Sequence, residues 1–226
     1  VIFMELKRIA DEMQPRTMAA RDWVFQVIRT AIVRGVLPGG MPLRQDEISA
    51  ALNVSHIPVR EAFRQLEAQG LVRIYPNRGA IVTKLSRGEM ANIMDTRIML
   101  ELGAIRAALP RMTDELLDEA EKLLEKSAEE TDQHKLEDLN LKFHLMLYGP
   151  AENQVLFQLI DQLHANVDRY IRRFYTLSDR VERSLEDHQK LLDACRKRDT
   201  VLVDAVLRTH LEYAKEQLMN LPSETE

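Results

Sequence analysis

The sequence predicts a mainly α-helical protein, in which an N-terminal unit with a small β hairpin precedes an all-α antiparallel helix bundle. Three observations support this fold class. Apolar residues recur at helical spacing through most of the 226 residues. Two short runs rich in β-branched and aromatic residues, LVRIY and AIVTKL, flank the turn sequence PNRG. After KLSRGEM the pattern is helical as far as residue 219, as expected of a bundle.

Composition and charge limit the classes of function. The chain is 45% hydrophobic and 30% charged, which is typical of a globular protein. A single cysteine, Cys195, excludes an intrachain disulfide and predicts a cytoplasmic location. Residues 16–84 carry 10 Lys+Arg against 5 Asp+Glu, whereas residues 85–226 carry 19 against 28. A basic unit beside an acidic one predicts that the first unit binds a polyanion.

Turn and capping residues divide the first unit into elements. A helix over 18–34 ends at GVLPGGMPL, and the short helix DEISAAL follows, with Asp46 as its predicted cap. Asn53 begins a tight turn, Ser55 caps the next helix, and Gly70 ends that helix with a positive φ. Helix, helix, tight turn, helix and hairpin is the order of a winged helix-turn-helix. The second of its paired helices usually enters the major groove of DNA.

The helix that follows Ser55 has an apolar face and a separate polar face. Positions i, i+3, i+4 and i+7 form the apolar face: Val59, Ala62, Phe63 and Leu66. The residues predicted to bind DNA are Ser55, His56, Arg60 and Arg64 on this helix, with Arg78 and Gly79 at the hairpin tip. Arg60 can offer two donors to a guanine edge, whereas Arg64 is better placed for a phosphate. The alternative is that Arg60 pairs with Glu61 or Glu67 on a solvated surface.

Residues 18–84 resemble the DNA-binding domain of GntR-type bacterial transcription regulators. The resemblance rests on the combination PG…L…VS…PVREA…L…GLV…RG. It implies that Ser55, His56, Arg60 and the hairpin tip at Arg78 and Gly79 contact operator DNA. In the predicted organisation, residues 1–17 are an N-terminal extension and residues 85–88 are a linker.

Three histidines of the second unit lie on apolar stripes of different predicted helices. His144 lies in NLKFHLMLY, His188 in SLEDHQKLLDAC and His210 in VDAVLRTHLEYA. A single histidine on such a face is more often a hydrogen-bonded core residue than a ligand, but three imidazoles are costly to bury without acceptors or a metal. His134 is interpreted as a surface residue, and His164 borders the inner stripe and stays ambiguous.

The same segments resemble the FCD effector domain found in the FadR-like branch of GntR regulators, over about residues 88–220. We therefore predict an effector-binding domain over 89–222. The resemblance implies a divalent metal, zinc or nickel, that helps to hold a small organic acid. Matched residue by residue, the ligands are Asn140, His144, His188 and His210, with Asn140 in the place of the usual carboxylate.

Arg97 shares an apolar stripe with Ile93, Leu100 and Ala104 in ANIMDTRIMLELGA. Two interpretations stay open: Arg97 pairs with Glu101 at i+4, or it lines the cavity and holds the carboxylate of an effector in a fork.

The sequence thus predicts a homodimeric DNA-binding transcription regulator, not an enzyme. A small organic acid, bound with the help of a metal in the helix bundle, would control its binding to a palindromic operator. Two alternatives remain. One is a metal-dependent enzyme that uses His144, His188 and His210. The other is an architectural DNA-binding dimer whose bundle only dimerises.

Overall fold

The chain folds as two separate units, residues 1–86 and residues 87–226. The structure, a computed structural model, describes residues 2–13, 18–76, 79–174 and 178–220. Most of these residues are helical, and the strands within them all lie in the first unit. The predicted fold class is confirmed. Within the described ranges, no helix combines the length and the apolar character that a membrane crossing requires.

The first unit contains four α-helices and a small antiparallel sheet in its described residues. In chain order these elements are α1 (Ile2–Glu12), α2 (Ala20–Val33), β1 (Pro42–Leu43), α3 (Gln45–Leu52), α4 (His56–Ala68), β2 (Val72–Tyr75) and β3 (Gly79–Val82). The core lies where α2 packs against α4, with α3 and β2 also packed on α4. Elements α3 and α4 are the two paired helices of the predicted helix-turn-helix.

The turn between α3 and α4 forms at the predicted residues, with one correction to the capping. Asn53 ends α3 in the left-handed conformation with φ 52°, and Gly70 follows α4 with φ 76°. Ser55 occupies the N-cap position of α4, but its side chain accepts no capping hydrogen bond. Asp46 is not the cap of α3, because Arg44 already has the extended backbone of an N-cap and the helix begins at Gln45. The Asp46 carboxylate instead lies in the first turn, where the helix dipole favours a negative charge.

In the described part of the first unit, the sheet has three strands instead of the two of the predicted hairpin. Strand β3 pairs with β2 on one side and with the two-residue β1 on the other. The second predicted strand, AIVTKL, is shorter than expected and ends at Val82, because Val82 pairs with Val72, the first residue of β2. Gly79 has φ +82°, and a Cβ at this position would lie 2.3 Å from the carbonyl oxygen of Leu43. The close approach of β1 therefore requires glycine at residue 79.

The predicted N-terminal extension contains a helix that belongs to the first unit. Helix α1 packs on α2 and α3 and fully buries Leu6 and Ile9. The indole N–H of Trp23 donates to the carbonyl of Met13 at 2.8 Å, just beyond the end of α1. Helix α1 is thus part of the first unit, because apolar side chains at residues 6 and 9 complete its core.

In its described residues, the second unit is a bundle of six α-helices. They are α5 (Arg87–Ala108), α6 (Asp114–Glu129), α7 (Gln133–Tyr148), α8 (Gln154–Phe174), α9 (Ser178–Arg196) and α10 (Thr200–Met219). Short 3-10 turns follow α5 and α7, at Leu109–Arg111 and Gly149–Ala151. The pairs α6–α7 and α9–α10 pack against each other across short connections, so their helices run antiparallel. Helix α5 begins at Arg87, inside the predicted 85–88 linker.

Candidate nucleic-acid interface and candidate metal centre

Helix α4 presents its two predicted faces to different surroundings. Val59, Ala62, Phe63 and Leu66 are buried against the rest of the unit. Ser55, His56, Arg60 and Arg64 are exposed on the opposite side. The apolar face therefore holds the helix on its unit and leaves a polar face available to a partner.

The exposed arginines of α4 form no ion pair with neighbouring acidic side chains among the described residues. Among the described residues, neither Arg60 nor Arg64 has an ion pair, so Arg60 does not pair with Glu61 or Glu67. Glu67 instead accepts a hydrogen bond from the backbone N–H of Ile74 at 2.7 Å. This leaves the guanidinium groups of α4 free to bind an anion.

A groove runs between α4 and the sheet, and its rim is basic. Arg44, Arg60 and Arg64 line it, with Asp46 as the acidic residue of the lining. Asp46 lies 3.5 Å from His56 Nε2. Arg78 falls outside the described residues, and Gly79 has the structural role described for β3. The structure thus groups the DNA-binding residues predicted on α4 along one surface.

The three histidines of the second unit converge in its interior. His144, His188 and His210 are all buried and come from α7, α9 and α10. His188 Nε2 lies 3.2 Å from His144 Nε2 and 3.3 Å from His210 Nε2. Imidazole nitrogens bound to one zinc ion at ~2.0–2.1 Å in a tetrahedral site are about 3.3–3.4 Å apart. The spacing of these Nε2 atoms therefore fits a shared metal ion.

Hydrogen bonds to Tyr148 determine the tautomer of His144, that is, which of its ring nitrogens carries the proton. The Tyr148 hydroxyl lies 2.8 Å from Glu101 Oε2 and 3.2 Å from His144 Nδ1. A carboxylate only accepts, so the single hydroxyl proton points to Glu101 and the Tyr148 oxygen accepts from His144 Nδ1. A proton on Nδ1 leaves the lone pair of His144 on Nε2, directed at the other two histidines.

His210 faces a carboxylate, but at a distance too long for a hydrogen bond. Its Nδ1 lies 3.9 Å from Asp187 Oδ2, and neither atom has a hydrogen-bond partner among the described residues. A proton on this Nδ1 would leave the lone pair of His210 on Nε2, the arrangement typical of metal-ligating histidines. An N–H on His188 could satisfy only one of these two lone pairs, whereas a metal ion would accept all three nitrogens.

Two rings of the cluster, His144 and His188, are neutral before any ion binds. Burial lowers the pKa of His144 and His188 well below the usual range, and the neighbouring His210 lowers both further. Neutral imidazole is the form that binds metal, so no proton has to be displaced from these two rings at neutral pH.

Asn140 lies one turn before His144 on α7, and only the nitrogen of its side-chain amide has a hydrogen-bond partner among the described residues. Its Nδ2 donates to Glu137 Oε2 at 2.9 Å, while its buried Oδ1 has no hydrogen-bond partner among the described residues. Asn140 and His188 line the same small cavity. An unpaired buried amide oxygen near the histidines has the chemistry of a neutral fourth ligand.

Arg97 forms the ion pair that one of its two interpretations requires. Its Nε donates to Glu101 Oε1 at 2.8 Å, and both side chains are buried. Because Glu101 also accepts from Tyr148, the pair continues to His144 through hydrogen bonds. Arg97 is thus connected to the histidine cluster.

Each of the two units matches a known protein family. Residues 20–82 match the family described as bacterial regulatory proteins, gntR family, and residues 92–213 match the FCD domain. The chain belongs to the GntR family. It is a DNA-binding transcription regulator with an FCD domain.

Curated relatives of this GntR-family chain are transcription regulators, and the similarity extends over most of their length. The HTH-type transcriptional repressor RspR of Escherichia coli K12 is 29% identical over 211 residues, covering 92% of each chain. An uncharacterized HTH-type transcriptional regulator, YdfH, of Escherichia coli O6:H1 is 30% identical, covering 89% of this chain and 90% of its own.

Solved structures agree with the fold of this GntR-family chain. A GntR-family transcriptional regulator from Pseudomonas syringae pv. tomato is 30% identical, covers 96% of this chain and 93% of its own, and superposes with a TM-score of 0.53. Escherichia coli McbR/YncC, at 22% identity, covers 89% of this chain and 98% of its own with a TM-score of 0.79. The second match concerns the fold alone.

Sequence reasoning missed the groups that orient the histidines of this GntR-family chain. Tyr148 follows His144 by four residues on α7, a spacing that places both on one helix face. Asp187 immediately precedes His188 in the sequence but faces His210. Glu137 lies three residues before Asn140. The i, i+3 and i+4 spacings were visible signals, whereas the Asp187–His210 contact depends on helix packing.

Proposed function

We propose that a small organic acid, bound in the helical unit of this GntR-family regulator, controls its affinity for an operator. The observation that carries the proposal is the convergence of three buried histidine Nε2 atoms in a chain that also has a basic recognition helix. A purely structural bundle gains nothing from burying three imidazoles that cannot satisfy one another.

In this proposal, α4 enters the major groove and its exposed residues bind DNA. Arg60 reads a guanine edge with two donors, Arg64 and the Ser55 end of the helix bind phosphates, and His56 lies beside them. The hairpin tip at Arg78 and Gly79 adds a contact in the neighbouring minor groove. A homodimer with two such helices would recognise a palindromic operator.

His144, His188 and His210, with Asn140 as a weaker neutral ligand, would hold a divalent zinc or nickel ion. When bound, the ion supplies positive charge that attracts the carboxylate of an effector. Arg97 is the proposed second partner of that carboxylate, which would then compete with Glu101 for the guanidinium group. Tyr148 keeps the proton of His144 on Nδ1.

An effector changes DNA binding only if it prefers one arrangement of the protein over another. The proposed acid therefore binds the DNA-competent and DNA-incompetent states with different affinities. Because the target is chromosomal DNA, the proposed site of action is the cytoplasm.

The decisive experiment is a selection of bound sequences from random DNA, followed by affinity measurements on the selected operator. The protein is tested metal-free, with zinc or nickel, and with metal plus a panel of small organic acids. We expect one or more acids to change the operator affinity in a metal-dependent way, and His188→Gln to abolish that response. An operator affinity that no acid or metal changes would favour the architectural dimer instead.

A further inference from the structure

A second cluster of candidate ligands lies in the helical unit and shares no residue with the three histidines. Glu137 on α7 faces His164 and Asp168, which are one turn apart on α8. All three side chains are at least 96% buried. One ligand atom from each residue lies within 4.8 Å of those of the other two.

The two carboxylates of this cluster each retain an oxygen without a donor. Glu137 Oε2 accepts from Asn140 Nδ2 at 2.9 Å, and Asp168 Oδ2 accepts from Arg172 Nε at 3.0 Å. Glu137 Oε1 and Asp168 Oδ1 are buried and have no hydrogen-bond partner among the described residues. Buried carboxylate oxygens are almost always satisfied, so two unsatisfied ones beside an imidazole indicate a missing positive partner.

Among the described residues, neither Arg172 nor Arg97 donates to these two oxygens. Arg172 divides its donors among Asp168, the exposed Asp138 and the carbonyl of His134. Arg97 donates through its Nε to Glu101.

We propose that Glu137, His164 and Asp168 bind a divalent transition-metal ion of their own, with ligands other than the three histidines. Two carboxylate oxygens and one imidazole nitrogen form a harder donor set than three imidazoles, so this site should accept Mn²⁺, whereas the histidines prefer zinc or nickel. Ligands at ~2.0–2.2 Å from one ion lie up to about 4.3 Å apart, so small side-chain rotations close the cluster on an ion. The ion would bind Glu137 Oε1 and Asp168 Oδ1 and leave the hydrogen bonds of the other two oxygens intact.

The test uses the full chain, stripped of metal with a chelator and titrated with Mn²⁺ alone. The free ion is measured by electron paramagnetic resonance, because its signal disappears on binding. We expect about one strongly bound Mn²⁺ per chain, retained in His188→Gln. In the isosteric variant Glu137→Gln, the affinity should fall at least tenfold, as a charged ligand is replaced by a neutral one.

Asp138→Asn is the matched control. Asp138 is adjacent to Glu137 and also pairs with Arg172, at 2.9 Å, but it is exposed and lies outside the cluster. The Mn²⁺ affinity of the Asp138→Asn variant should equal that of the unmodified chain. Circular dichroism confirms that each variant is folded. Asp168→Asn is a second ligand variant, with the same expected loss.

Three results would overturn the proposal: no Mn²⁺ binding by the folded chain, equal Mn²⁺ affinity in Glu137→Gln, or loss of Mn²⁺ binding in His188→Gln. The last would assign the ion to the histidine cluster. Failure of the histidine site appears separately, as unchanged zinc affinity in His188→Gln, so the two metal proposals are distinguishable.

Discussion

At the residue scale, the two exposed arginines of α4 should have different effects on DNA binding. Arg60→Ala is expected to weaken binding to the operator by ~1–3 kcal/mol per half-site and to relax the preference for one base pair. Arg64→Ala should weaken binding to all sequences about equally, because a phosphate contact carries no sequence information. Affinities for operator and unrelated DNA, each over a series of salt concentrations, measure both effects.

The salt dependence separates these two roles. Loss of a phosphate contact should reduce the slope of log affinity against log salt by roughly one. Both arginines are exposed and lack ion pairs among the described residues, so neither variant should lower the melting temperature. Unchanged operator affinity in Arg60→Ala would show that another element reads the sequence.

Asn140→Asp is expected to raise the affinity for zinc, because a carboxylate neutralises part of the charge of the ion. The same change replaces the amide that donates to Glu137 and places two carboxylates side by side. The metal-free variant should therefore melt at a lower temperature than the unmodified chain and gain more from zinc. If the metal is retained in both forms, the added charge should weaken acid binding. Isothermal titration with zinc and nickel checks the affinity, and equal values in both proteins would remove Asn140 from the site.

The buried histidines make the stability of the metal-free chain depend on pH. The pKa of His144 and His188 is lowered in the folded state, whereas in the unfolded chain it is near 6.5. Below about pH 6.5 the unfolded state binds more protons than the folded state. The free energy of unfolding is therefore highest at neutral pH and falls on acidification. His188→Gln should reduce the difference in melting temperature between about pH 7.5 and about pH 5.5. An unchanged difference would mean that other groups dominate the acid response.

At the element scale, α1 should contribute to the stability of the DNA-binding unit. Ile9 is fully buried between α1 and its neighbours, so Ile9→Ala is expected to cost ~2–5 kcal/mol of unfolding free energy. Met4 lies on the same helix but is 75% exposed, and Met4→Ala should change the value by less than about 0.5 kcal/mol. Calorimetry of the full chain measures both. Equal stability of the two variants would show that α1 is not part of the core.

Elements with a strong local pattern could be predicted from the sequence. The recognition helix was found because its apolar and polar residues separate at a spacing of three and four, and Gly70 ended it as expected. Strand β1 could not be found, since two residues, one of them proline, have no periodicity of their own and pair only because β3 is adjacent. Helix α1 has apolar residues at helical spacing. Its own sequence cannot show that it packs on α2 and α3, because that depends on the apolar surface that those helices expose.

At the scale of the whole molecule, the helical unit should fold without the DNA-binding unit. Residues 87–226 form a unit with its own buried core. We expect the fragment to be helical by circular dichroism, to melt cooperatively and to bind zinc as the full chain does. A fragment that stays unfolded would show that the two units depend on one core.

The candidate site was predictable only in part, for reasons of chain topology. His144, His188 and His210 were grouped by their apolar stripes and by the family resemblance, although they lie on three different helices. The groups around them come from distant positions: Glu101 accepts from Tyr148, 47 residues away, and Asp187 faces His210. Spacing along one helix cannot show which residues of another helix will face it. His164 stayed ambiguous for this reason until α7 and α8 were placed together.

Trp23 provides an optical signal that is specific to one half of the protein. It is the only tryptophan of the chain, and its indole N–H is bonded to the carbonyl of Met13 beside α1. The helical unit has no tryptophan. Fluorescence excited at the red edge of indole absorption therefore reports on the DNA-binding unit alone, while tyrosine emission comes mostly from the helical unit. Unfolding, or release of α1 from Trp23, can be followed in the intact regulator without any label.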